Sequence, residues 1–154
     1  GAALGLGLRP GDVAISLGQL LPNAEVVVVT TPQPAAADVA ERSGLVARQT
    51  GQRVVGVVEN MAGFAQPDGS VLDLFGEGGG AEVARRLSEG VDEAVPLLAS
   101  VPLSVGLRRG GDDGVPVVLA EPDDPAARAI EQVAETLARR PRSLAGRPLD
   151  IRVR

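Results

Sequence analysis

The chain has 154 residues, 44% of them apolar, and a formal charge of −5. It holds no Cys, no His and no Lys, and Phe64 and Phe75 are its two aromatic residues. Disulfides, thiolate and imidazole chemistry, and a phosphate loop with its Lys are therefore excluded within this sequence, while the length suffices for one domain with a core of Val, Leu, Ile and Ala.

Residues 1–9 are low in complexity and give no period. A helix is expected over 12–21, opened by Gly11-Asp12 and closed by Pro22-Asn23. Glu25 to Thr30 is a β-branched run that stops in Thr30-Thr31-Pro32-Gln33. Residues 35–50 carry small or apolar groups at helical spacing, with Gly44 weakening the helix. Residues 53–59 form a second apolar run, which stops in Glu59-Asn60-Met61. Two buried runs joined by a helix read as parallel strands with a crossover. Residues 61–80 read as a loop with a Pro67-Asp68-Gly69 turn between two short extended pieces. A helix over 80–89, a third strand over Val95 to Pro102, one helical turn within 103–114 and a short fourth strand over Val115 to Ala120 follow. Asp124 is read as the cap of a last helix with Pro125 at its first position. Its apolar stripe is Ala126, Ile130, Val133, Ala134 and Leu137.

The charge is uneven: residues 1–138 carry a net −10 and residues 139–154 a net +5. An acidic body argues against nucleic-acid binding by the domain. The basic end reads as a solvated tail, with a phosphate backbone or an acidic partner as the other reading. No apolar run reaches the ~18 residues of a membrane span, and no signal peptide is evident, so a cytoplasmic chain without a membrane partner is expected.

In a parallel sheet, ligands bind at the carboxyl ends of the strands. Thr31, Gln33 and Asn60 sit there as neutral hydrogen-bonding side chains, and an Asn amide matches a purine edge as well as it ties up a turn. Gly76-Glu77-Gly78-Gly79-Gly80-Ala81 fits G-x-G-x-x-[GA], but no βαβ unit opens there, so a glycine-rich helix entry is the better reading. Pro10-Gly11-Asp12 at a helix start is either an anion contact or a plain turn. No paired-acid site is evident.

Taken in order, Gly11-Asp12-Val13-Ala14, Val27 to Gln33, Gly56-Val57-Val58-Glu59-Asn60-Met61, Phe75 to Gly80, Val101-Pro102-Leu103, Gly110 to Pro116 and Pro122 to Ala126 follow the order and spacing of the Mrp/ApbC family. The chain resembles that family over residues 11–140, and its Arg-rich ending resembles actinobacterial members. These are MinD-like P-loop ATPases that carry and deliver iron–sulfur clusters. The resemblance implies an α/β chain with a partial P-loop NTPase (MinD-like) fold, a mostly parallel sheet flanked by helices. Residues 11–140 then form the C-terminal half of the ATPase domain, after an unmatched segment 1–10 and before a basic tail 141–154.

It further implies ATP and Mg²⁺ in the complete parent, an adenine nucleotide bound through Asn60, and packing by the base from Val101, Pro102 and Leu103. Gly11 and Asp12 match the segment near the γ-phosphate, and Thr31 and Gln33 belong to the same rim. A homodimer and iron–sulfur apoprotein clients are the implied partners. No catalytic residue and no metal ligand is assigned within this chain, which alone is not expected to hydrolyse ATP. The sequence departs from the family pattern in several places, and the Asp of the D-x-P-P run has no counterpart in it. Arg9-Pro10 replace Gly-Thr, Ser104 replaces an Asp, and Gln66 stands for the first Cys of C-P-x-C with the second absent, which removes thiolate ligation of a cluster. A MinD/ParA-like positioning ATPase and a non-catalytic scaffold module are the alternatives. An upstream G-K-G-G-V-G-K-[ST] would decide for the truncated ATPase against the scaffold.

Overall fold

The computed structural model describes residues 24–140, with Ser16 and residues 19–21. Of the helix expected over 12–21, Ser16, Gln19 and Leu20 are helical, and its other residues save Leu21 fall outside the described residues, as do the segment 1–10, Gly11 and the basic tail 141–154. The elements are β1 (Glu25–Thr30), α1 (Pro34–Gln49), β2 (Arg53–Ala65), β3 (Val71–Leu72), α2 (Gly79–Ser88), β4 (Leu97–Leu103), α3 (Val105–Asp113), α4 (Val117–Ala120) and α5 (Pro125–Arg139).

The long strand β2 is central, with β1 on one side and β4 on the other, both parallel to it. Parallel neighbours need crossovers, and α1 and α2 lie in the two connections. Ala37, Ala40 and Ala47 of α1 and Val83, Ala84 and Leu87 of α2 close over Val28, Val54 and Val57 of the sheet. Gly44 weakens α1 by propensity, and the packing explains it. A Cβ there would stand 2.8 Å from both methyl groups of Leu87, which is fully buried. Pairing of β1 with β2 steps from Val26 opposite Val54 to Val27 opposite Gly56, a bulge at Val55 whose carbonyl accepts a 3.4 Å bond from the Arg140 guanidinium. Helix α5 forms a further layer against β4, with Ala126 and Ala127 buried and Gln132 Nε2 donating to the Leu98 carbonyl at 3.3 Å. Along its expected stripe, Val133 and Leu137 are half-buried, whereas Ile130 and Ala134 are exposed.

Three expectations are corrected. The second strand does not stop at residue 59: β2 runs to Ala65 and turns back through Gln66–Ser70 to pair antiparallel with β3, Phe64 opposite Leu72 and Ala65 opposite Val71. The Pro67-Asp68-Gly69 turn stands as expected; Asp68 Oδ1 accepts from the Ser70 amide and hydroxyl, which holds the carboxyl below its ordinary range. Residues 103–114 hold not one turn but the nine-residue α3, bracketed by a Ser104 cap and a left-handed Gly114. Val115 to Ala120 is not a strand. Pro116 lacks the N–H a ladder needs, and its carbonyl accepts from Leu119 and Ala120 to close the helical turn α4. The result is an α/β fold with a mixed sheet flanked by helices. No helix among the described residues is long and apolar enough to cross a membrane.

Candidate functional site

The register brings the strand ends into one row: Thr30 lies opposite Glu59, Glu59 opposite Ser100, and Asn60 opposite Val101. Thr31 to Gln33 follow the end of β1, Pro102 and Leu103 close β4, and Asn60 lies within β2 just past its last pair with β1, so the three segments fall on the side of the sheet where parallel strands bind ligands. Thr30 is buried and donates to the Thr31 carbonyl at 3.2 Å. The Thr31 hydroxyl is buried with no hydrogen-bond partner among the described residues. Gln33 is the exposed N-cap residue of α1 and makes no side-chain cap bond.

Asn60 is exposed, and its Oδ1 accepts the Met61 amide at 2.9 Å. Met61 has φ 58°, a left-handed conformation that an L side chain adopts at a cost. One face of the Asn60 amide therefore secures a turn, while its NH₂ group makes no hydrogen bond among the described residues. Pro102 is buried and Leu103 half-buried, giving the rim an apolar wall. Ser104, where the family pattern has Asp, keeps the capping function: its Oγ accepts from the Leu107 amide at 3.0 Å.

Sequence reasoning missed Glu59. This carboxylate is 6% exposed; its Oε2 accepts the Gly80 amide at 2.7 Å and its Oε1 the Ser100 hydroxyl at 3.1 Å. A Cβ on Gly80 would come within 2.6 Å of the Glu59 Cβ, and one on Gly79 within 2.6 Å of the carbonyl oxygens of Thr31 and Pro32. The glycines that open α2 are there because the helix starts against the exit of β1 and against Glu59 of β2. The available signal was an acidic residue ending an apolar strand, followed about 20 residues later by a glycine-led helix start.

A cavity of about 360 Å³ opens elsewhere, lined by Arg48, Arg53, Val54, Glu93 and Arg140 among others. Arg48 donates to the Leu87 carbonyl in the last turn of α2, and Arg53 pairs with Glu93. Charge there answers helix C-termini and a neighbouring carboxylate rather than forming part of the rim.

The rim's neutral hydrogen-bonders and apolar wall suit a heterocyclic base. They do not suit a metal-bound triphosphate: no group of three or more Asp or Glu converges among the described residues, and the sequence has no Lys. Nor do they suit a thiolate-held cluster, since no Cys is present.

A three-stranded parallel core with crossover helices and a polar rim is an α/β arrangement shared with the fold of MinD proteins. The cell division ATPase MinD of Pyrococcus furiosus superposes with a TM-score of 0.56 at 24% identity, over 74% of this chain and 42% of that one. The septum site-determining protein MinD of Pyrococcus horikoshii, complexed with Mg-ADP, gives 0.56 at 24% identity over 82% and 44%. In sequence, residues 9–138 match the family described as ParA: NUBPL iron-transfer P-loop NTPase. The iron–sulfur cluster carrier protein of Mycobacterium leprae is 57% identical over 136 residues, 88% of this chain and 36% of that protein. That of Mycobacterium tuberculosis H37Rv is 55% identical over 141 residues, 92% and 37%, and that of Synechocystis 42% over 130 residues, 83% and 35%. The chain belongs to the NUBPL iron-transfer P-loop NTPase family. It spans little more than a third of the length of these curated relatives.

Proposed function

We propose that this chain supplies the base-binding side of an adenine-nucleotide site in an iron–sulfur cluster carrier ATPase. The observations that carry the reading are a buried Thr31 hydroxyl and an Asn60 NH₂ that find no hydrogen-bond partner among the described residues, each next in chain after the last β1–β2 pair, Thr30 opposite Glu59. Asn60 Nδ2 donates to a ring nitrogen of the base, and the second lone pair of Oδ1 accepts from the exocyclic amine. Pro102 and Leu103 give the base an apolar surface, and Thr31 and Gln33 complete the polar edge. Gly11 and Asp12 belong to the phosphate side in this reading. Hydrolysis needs a phosphate-holding Lys and a Mg²⁺ acid from outside these residues. Membership of the family supports iron–sulfur cargo, apoprotein clients, a homodimer and cytoplasmic residence as parts of this proposal, and the absence of Cys leaves cluster ligands to be supplied elsewhere.

The test is titration of a fluorescent ATP analogue into a chain carrying both halves of the domain, well below its melting temperature. Asn60→Ala is expected to weaken binding by the ~1–3 kcal/mol of a lost buried hydrogen bond, roughly 5- to 150-fold. Gln33→Ala is expected to cost less. Unchanged affinity in Asn60→Ala would return the residue to its turn at Met61, and a wild-type chain without affinity would favour the scaffold reading.

A further inference from the structure

Two of the buried polar residues serve local turns: Thr30 bonds the next carbonyl and Ser104 caps its own helix. Glu59 instead reaches two other elements. A carboxylate at that depth is unfavourable unless hydrogen bonds and positive potential compensate it. Both are supplied. Gly80 is the second residue of α2, so its N–H has no partner within the helix, and the helix N-terminus carries partial positive charge. Ser100 donates from β4 to the other oxygen.

We propose that Glu59 is a positioning residue for the rim. Its carboxylate clamps the start of α2 and the strand β4 onto β2 where its ladder with β1 ends, and so fixes the surface on which Thr31 and Asn60 are presented. Gly79 is pressed against the Thr31 and Pro32 backbone, so the clamp also sets the height of that segment. The turn Gly76-Glu77-Gly78, which leads from the β2–β3 hairpin into α2, ends at the same bond. Movement of the hairpin exit relative to the rim must therefore break a charge-assisted contact. The consequence for nucleotide rests on the base-binding reading; the clamp itself does not.

Two measurements separate them: amide hydrogen exchange on this chain, which needs no nucleotide, and analogue titration on the full-length chain, with Glu59→Ala, Glu59→Gln and Ser100→Ala. In Glu59→Ala, exchange at Gly80 and Ala81 is expected to rise about tenfold or more, with Val28 and Val57 unchanged, and nucleotide affinity to fall by a similar factor. Glu59→Gln keeps an acceptor oxygen for Gly80 and is expected to restore most of both. Ser100→Ala is expected to fall between, and with the Gln variant it decides the matter if Glu59→Ala does not fold. Exchange at Gly80 that does not respond overturns the clamp. Fast exchange with unaltered affinity in a folded variant overturns the positioning. A full-length wild-type chain that binds no nucleotide defeats the base-binding reading, and the exchange result alone then decides for or against the clamp.

Discussion

Leu87 is fully buried beneath α1, and its two methyl groups occupy the space a side chain at position 44 would take. Leu87→Ala is expected to destabilise by about 2–5 kcal/mol through lost transfer energy and an unfilled cavity. Gly44→Ala gains helix propensity but drives a methyl into the same side chain, and a net loss of about 1 kcal/mol is expected. Urea midpoints at unchanged slope measure both, and a stabilised Gly44→Ala would mean that Leu87 has room to shift. At Ser104, removal of the Oγ leaves the Leu107 amide without its acceptor, and Ser104→Ala is expected to cost about 1 kcal/mol. These residues mark where composition alone stops informing. Gly44 reads as a weak spot in a helix until its neighbour is known, and Ser104 reads as a lost carboxylate although its capping oxygen is retained.

Helices α1 and α2 are joined on their wet side by Arg86, which meets Asp38 at 2.9 Å, Glu41 at 3.0 Å and Glu82 at 2.7 Å. Arg85 reaches Glu82 and Glu89. Hydrogen bonds from Arg85 and Arg86 hold the Glu82 carboxyl down to about 2 from an ordinary 4.5. A carboxyl depressed in the folded state stabilises above its unfolded value and loses that contribution as pH falls through the folded one. Glu82→Gln is therefore expected to be less stable than wild type near neutral pH, with the gap closing between about pH 4.5 and 2 and shrinking in high salt. A gap independent of pH would remove the carboxylate from the account.

At this scale the parallel strands and the longer helices were legible, because buried β-branched runs and helical spacing are properties of neighbouring residues. Val115 to Ala120 was not: a short apolar run has no period of its own, and Pro116 together with packing against α3 and α5 decided for a helical turn. Likewise the continuation of β2 through Met61 and Gly63 depends on a partner strand, β3, that offers two residues.

For the molecule as a whole, a chain without Lys lacks the P-loop residue that reaches the β- and γ-phosphates. Phosphate release from Mg-ATP by the 154-residue chain is expected to stay at the blank, and turnover that survives rigorous purification would contradict this. The row of polar residues that closes the apolar runs was legible, but its hydrogen bonding only in part. Asn60 and Thr31 were identifiable as hydrogen-bonders, whereas Glu59 acquires meaning through Gly80 and Ser100, which are 21 and 41 residues away.

The bulge at Val55 has a consequence for parity. In an unbroken strand, residues three apart face opposite sides, yet Val54 and Val57 both enter the α1–α2 core. The extra residue offsets the alternation by one in the numbering beyond it, and Glu59 points under α2 and Asn60 away from it. Deleting Val55 would leave Val54 opposite Val26 and Gly56 opposite Val27 in strict alternation, so Glu59 would stay under α2 and Asn60 away from it. The extra residue is thus absorbed locally, between Val54 and Gly56, and the pairing with β1 sets which of two adjacent side chains is available to a ligand.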